Sequence, residues 1–117
     1  MDLATNENID LFAIKAVEDK AVLVRIFFRD GKLASSNHNH IKQNKDDINI
    51  DLNEAYHRAI INYYDNEIPL LPNEIIIADE IEEKEELQEF IKNKFSKNIS
   101  IVNPKIGKKK EIITVAH

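Results

Sequence analysis

The chain has 117 residues, 43% hydrophobic and 32% charged, which is enough for one independently folding domain. It has no cysteine, so disulfide frameworks, zinc ribbons and thiol nucleophiles are excluded. The net charge of −5 argues against a free-standing, tight nucleic-acid binder, which would normally be basic. No apolar run approaches the ~20 residues of a membrane span, and the first residues lack a signal peptide's basic and apolar regions. A cytosolic protein fits best, with residues 1–8 as a flexible lead-in and residues 9–117 as the domain.

The first third reads as three strands. Leu11 to Glu18 has apolar residues on both faces, and Ala21 to Phe28 is a nearly continuous β-branched and aromatic run, as expected of a buried strand. Asp30-Gly31 marks a tight hairpin. Lys32 to Ile41 is polar and reads as a sheet edge. After a polar loop over 42–49 comes a helix. Asp51 can cap it and Glu54 has capping-box spacing. Leu52, Ala55, Tyr56, Ala59, Ile60 and Tyr63 form its apolar stripe, and Asp65, Asn66 and Pro69 end it.

Glu74 to Ala78 is a short β-branched strand. Lys84 to Phe95 is an amphipathic helix with Leu87, Phe90, Ile91 and Phe95 inward. Ile99 to Val102 is a last short strand. Lys108 to His117 begins a lysine-rich helix with Ile112, Val115 and Ala116 on one face. That helix runs into the chain end, as in a domain excised from a longer protein. The order β-β-β-α-β-α-β-α predicts a mixed α/β fold with a five-stranded sheet. The right-handed crossover rule makes the fourth strand parallel to the first, a ribonuclease H-like arrangement.

Charge is segregated. Residues 79–89 hold Asp79, Glu80, Glu82, Glu83, Glu85, Glu86 and Glu89 against Lys84, a local −6. Residues 90–117 hold seven lysines against Glu111, a local +6. Acids near a helix start are favourable, and docking onto a basic neighbour is the functional alternative. Lys105, Lys108, Lys109 and Lys110 gather where the last helix begins. Lysines there oppose the macrodipole, and exposed backbone N–H groups beside them suit a DNA phosphate. Arg25 and Arg29 are candidates to extend that surface. His38 and His40 share one strand face, but a zinc site needs further ligands and His57 is distant in sequence. They read as solvated edge residues. Ser35 and Ser36 lack the glycine-flanked elbow of a serine nucleophile.

Four segments carry a family resemblance. Val24 to Leu33 (VRIFFRDGKL) resembles the "VFFVRGGKL" stretch of the UvrC family, part of bacterial excinuclease ABC. Ile68 to Ile77 (IPLLPNEIII) is similar to that family's "IPxEILLP". Val102 to Lys110 (VNPKIGKKK) is similar to "VPQRGEKKRL", except that Ile106 replaces an arginine. Ala55 to Tyr64 is similar in character to the helix ending in "QFY". The resemblance covers residues 9–117. It implies the region between the UVR hairpin, which contacts UvrB, and the C-terminal ribonuclease H-like nuclease domain. It further implies nucleotide excision repair, with damaged DNA, UvrB and other UvrC domains as partners. No counterpart of the family's GIY-YIG nuclease, cysteine cluster or helix-hairpin-helix motifs is present in this sequence.

Ribonuclease H-like nucleases hold two metal ions on carboxylates from the middle of strand one, the first helix and the residues just after strand four. Here the first strand offers none before Glu18, and Lys15 would repel a cation. Glu54 reads as a cap and Asp79 as a loop acid. The expectation is a catalytically inactive domain with no metal or cofactor. The alternatives are a nuclease with an irregular set, Glu18, Glu54 and Asp79, or a protein-docking module.

Overall fold

Apolar residues on both faces make Ile9–Val17 the centre of the sheet; this is β1. It is flanked by β2 (Lys20–Arg29) and then β3 (Lys32–Ile41) on one side, and by β4 (Glu74–Ile77) and β5 (Ser100–Val102) on the other. The helices are α1 (Leu52–Tyr64), α2 (Lys84–Phe95) and α3 (Lys108–Ala116). The computed structural model describes residues 3, 6–17, 20–41, 51–105 and 108–116, without the side chains of 17, 108 and 114–116. Glu18, the 42–49 loop, Ile106 and Gly107 lie outside the described residues. β1, β2 and β3 form an antiparallel meander, and β4 and β5 join in parallel with β1. This is the predicted mixed five-stranded sheet.

The hairpin between β2 and β3 turns on Asp30 and Gly31, both at positive φ (53° and 76°), as a type I′ turn requires. The turn is also held from the N-terminal side. Gly31 N–H donates to Glu7 O at 2.9 Å, and Asp30 N–H donates to Asn8 Oδ1 at 2.8 Å.

The alternation of side chains along β1 divides the core in two. Phe12 and Ile14 face α1 and α2, packing with Tyr56, Ile60, Tyr64, Ile75, Ile77, Leu87 and Ile91. Ile9, Leu11 and Ala13 face the other way, with Val24, Ile26, Phe28, Ile76 and the α3 residues Ile112 and Ile113. A sheet covered on both faces explains why β1, β2 and β4 read as continuous apolar runs. On α1 the buried residues are Tyr56, Ile60 and Tyr64, so the stripe extends to the last residue, while Leu52 is exposed. Phe90 and Phe95 of α2 are only partly buried.

β1 starts two residues earlier than its sequence suggests. Ile9 pairs with Phe28 and Asp10 with Phe27, so the strand does carry a carboxylate before Glu18. Asp10 is fully buried. Its Oδ1 accepts from Arg29 Nη1 at 2.7 Å, and its Oδ2 accepts from the Tyr64 hydroxyl. Arg29 also donates to Phe28 O (2.8 Å) and Leu70 O (3.0 Å). Arg29 is therefore a mostly buried cation, 19% exposed, committed to Asp10 and two backbone carbonyls. Burial pushes the Asp10 carboxyl above its ordinary range, against the pull of Arg29 and Tyr64.

A carboxyl whose folded pKa is raised contributes stability that is fully present below its unfolded pKa and is lost as pH rises through the folded value. Arg29→Met removes the compensating cation and raises that pKa further. At pH 7 the variant should lose about 3–5 kcal/mol, because the buried Asp10 carboxyl is left without its counter-ion. The deficit should shrink at pH 4.5, where the carboxyl is increasingly protonated. Urea denaturation at the two pH values checks this; a deficit as large in acid would contradict it.

Candidate functional site

In a parallel sheet of this order, chemistry belongs at the carboxyl ends of the strands, beside the point where the chain changes direction across the sheet. Here that point lies between β1 and β4. The pairing of the two strands ends at Phe12 opposite Ile77, closed by Ala78 N–H donating to Phe12 O at 3.1 Å. Beyond it β1 continues without β4, and Ile14 would have a buried N–H with no strand partner. The Tyr56 hydroxyl supplies one: it accepts from Ile14 N–H at 3.0 Å and donates to Asp79 Oδ2 at 2.5 Å. Burial, reinforced by the Asp79 carboxylate, raises the Tyr56 phenol far above its ordinary range, so it remains a neutral donor.

Each carboxylate position implied by the ribonuclease H-like resemblance can now be located. The middle of β1 presents Phe12 and Ile14 toward α1, both buried and apolar. Asp10 points to the same face but stands opposite Ile75, four residues before Ile14, or about 13 Å along the strand. It is the carboxylate that sequence reading missed, and only the adjacent Arg29 and Tyr64 explain how a strand start buries it. On α1 the residue facing the strand end is Tyr56. Glu54 lies on the outer face, 61% exposed, and its Oε1 accepts from Arg58 at 2.5 Å. The capping box is half formed: Asp51 Oδ1 accepts from Glu54 N–H at 3.2 Å, while the Glu54 carboxylate goes to Arg58. After β4, Asp79 is in place and is held by Tyr56. The structure therefore brings Asp79 to the strand end but not Glu54. Among the described residues, no three His, Asp or Glu side chains stand together as a metal-holding group.

The segment after Asp79 is docked on the first turns of α1. Asn53 Oδ1 accepts from Glu82 N–H at 2.8 Å, and His57 Nε2 donates to Glu82 O at 2.8 Å. His57 on α1 is thus bound to this segment, whereas His38 and His40 lie on β3. Glu82, Glu83, Glu85, Glu86 and Glu89 are exposed. Glu85 and Glu86 occupy the first turn of α2, where negative charge is favourable.

The lysines do not form one cluster. Lys105 reaches Glu80 Oε2 at 3.2 Å and Asn103 Oδ1 at 2.5 Å, near the carboxyl ends of β4 and β5. Lys109 reaches Glu74 at 2.8 Å and Glu7 at 3.6 Å, where β4 begins. The two amines are held at opposite ends of β4. Hydrogen bonding to Glu74 raises the Lys109 pKa, and its paired Lys105 and Lys84 lower that of Glu80. These pairs offset the macrodipole cost of a lysine-rich helix start. Lys110 is exposed, and the Lys108 side chain is outside the described residues. Arg25 lies over the Tyr63 ring, 5.4 Å from its centroid, and donates to Asn39 Oδ1 at 2.7 Å.

No helix of the structure is long and apolar enough to cross a membrane, among the residues described. Comparison with known proteins gives a consistent family. The UvrC ribonuclease H-like domain family matches residues 8–117. A UvrABC system protein C from Aliarcobacter butzleri is 57% identical over 99% of this chain. Counterparts from Helicobacter pylori and Wolinella succinogenes are 41% and 38% identical, each over 99% of the chain. The chain spans 19% of the length of each of these relatives. Among solved structures, a Bacteroides thetaiotaomicron protein with an actin-like ATPase fold aligns over 97% of this chain and 39% of its own, with a TM-score of 0.48 and 16% identity. That likeness is too distant to add to the assignment. The fold order, the matched family and the identities over the whole chain place this protein in the UvrC ribonuclease H-like domain family.

Proposed function

We propose that this chain is a non-catalytic ribonuclease H-like domain of a UvrC protein, acting in nucleotide excision repair by positioning the nuclease domains of the longer protein. The supporting observation is the Tyr56 hydroxyl seated between Ile14 N–H and Asp79. It occupies the strand end where a nuclease of this fold needs converging carboxylates for its metal ions. A neutral phenol that donates to Asp79 leaves that carboxylate a poor ligand for a hard cation. A nuclease built on Glu18, Glu54 and Asp79 is the weaker reading, because Glu54 faces solvent beside Arg58.

The partners in this reading are DNA, UvrB and other UvrC domains. DNA backbone would be met by the lysine-rich start of α3, with Lys108 and Lys110 as the principal contacts. Lys105 and Lys109 would have to exchange Glu80, Glu74 and Glu7 for phosphate. The exposed acids of the 79–89 segment favour the docking alternative, in which a basic neighbouring domain is the partner.

Fluorescence anisotropy with a labelled bubble duplex across a salt series tests the DNA contact. Weak binding is expected, with a Kd on the order of 10⁻⁵ M at low salt and no dependence on Mg²⁺. Replacing Lys108, Lys109 and Lys110 with alanine should flatten the log–log salt slope by about 0.9 per lost contact. Flat anisotropy at low salt would eliminate DNA contact and leave the docking role. A second prediction separates the tyrosine from any binding surface. Tyr56→Phe should cost about 1–3 kcal/mol in urea denaturation, since it strands a buried N–H, and leave the DNA titration unchanged.

A further inference from the structure

We propose that His38 and His40 form a two-donor chelate on β3 for a nitrogen-preferring divalent metal ion such as Cu²⁺, Ni²⁺ or Zn²⁺. The sequence gives only the spacing, and the structure adds three facts. First, the two residues sit in an unbroken stretch of ladder, His38 opposite Val24 and His40 opposite Val22, and the one irregularity of the β2–β3 pairing lies elsewhere, at Phe27/Phe28. Their side chains therefore point to the same face, with Cβ atoms about 6.6–6.8 Å apart. Second, both are exposed, on a strand whose outer edge bonds no other strand among the described residues. Third, neither imidazole has a hydrogen-bond or ion-pair partner among the described residues, in contrast to His57, which is bound to Glu82 O.

Imidazole nitrogens lie far enough past Cβ for two rings at this spacing to tilt together onto one ion at the usual ~2.0–2.1 Å. The strand fixes the spacing, so the chelate needs only side-chain rotation. Two nitrogens with no neighbouring carboxylate among the described residues suit the late first-row ions, with Cu²⁺ the tightest. They do not suit Mg²⁺ or Ca²⁺, which require oxygen ligands. Among the described residues, the nearest charged side chains on this face are lysines: Lys20, two residues before Val22 on β2, and Lys15, beyond Val22 on β1, about 10 Å across the sheet. Among the described residues, the remaining coordination positions face solvent along the outer edge of β3. This site is independent of the metal position that Tyr56 closes and of the DNA-contact reading.

The chain has only four histidines, His38, His40, His57 and His117, which makes the test clean. The probes are Cu²⁺ and Ni²⁺ themselves, titrated calorimetrically into the untagged 117-residue chain at pH 7.5 in a non-chelating buffer. Saturable binding of one ion per chain is expected. His38→Ala and His40→Ala should each weaken it by at least about tenfold, since even the loss of an outer-shell partner costs that much. His57→Ala and His117→Ala should bind as the parent does. Circular dichroism checks that each variant is folded. Absence of saturable binding, unchanged affinity in the His38 and His40 variants, or an equal loss in the His117 variant would each overturn the proposal.

Discussion

β1 outruns its parallel partner, and a buried N–H at Ile14 must be satisfied by something other than β4. The Tyr56 hydroxyl does this, and much of the domain's arrangement follows from it. An orphaned amide in the core would cost about 1–3 kcal/mol. A phenol can reach it only if α1 lies across β1 with its first turns at the strand's carboxyl end. The same hydroxyl then fixes Asp79, and through Asn53 and His57 those first turns also hold the segment that leads into α2. One hydroxyl thus couples the central strand, the first helix and the exit from β4.

The other end of α1 makes a matching attachment. Tyr64 donates to Asp10, and Asp10 pairs with Arg29 of β2. Tyr56 and Tyr64 are eight residues apart, about 12 Å along a helix. Ile14 and Asp10 are four apart, about 13 Å along a strand. The two periods coincide, so α1 is pinned antiparallel to β1 at both ends by hydroxyl groups. Between the pins lie Ile60 and the aromatic group of Phe12, Phe27 and Tyr63, in which Phe27 and Tyr63 stack at 5.1 Å. Apolar burial supplies the bulk of the stabilisation, while the tyrosine pins select the orientation of the helix.

The elements were legible in the sequence because their signals are local. Asp30-Gly31 sets the hairpin, Asp51 caps α1, and β-branched runs mark β2 and β4. What was not legible depends on residues distant in the chain. Asp10 is left outside the predicted first strand, because the Arg29 and Tyr64 that hold it at the strand start are 19 and 54 residues away. Tyr56 reads as one more apolar stripe residue, because nothing local shows that β4 will stop short of Ile14. Lys105 and Lys109 look like one basic patch in sequence, yet they stand at opposite ends of β4, each beside a glutamate. Charge density along a chain does not show which charges meet across it.

Closure of the strand end by Tyr56 is tested most directly by an NMR-monitored titration of the 117-residue chain with Mg²⁺. With the strand end closed, the amide resonances of Phe12, Ile14, Tyr56 and Asp79 should show no saturable shift up to about 10 mM Mg²⁺, a level that would fill an oxygen site of even millimolar affinity. A saturable shift centred on Ile14 and Asp79 would mean that the tyrosine yields to a metal ion, and would contradict the non-catalytic assignment.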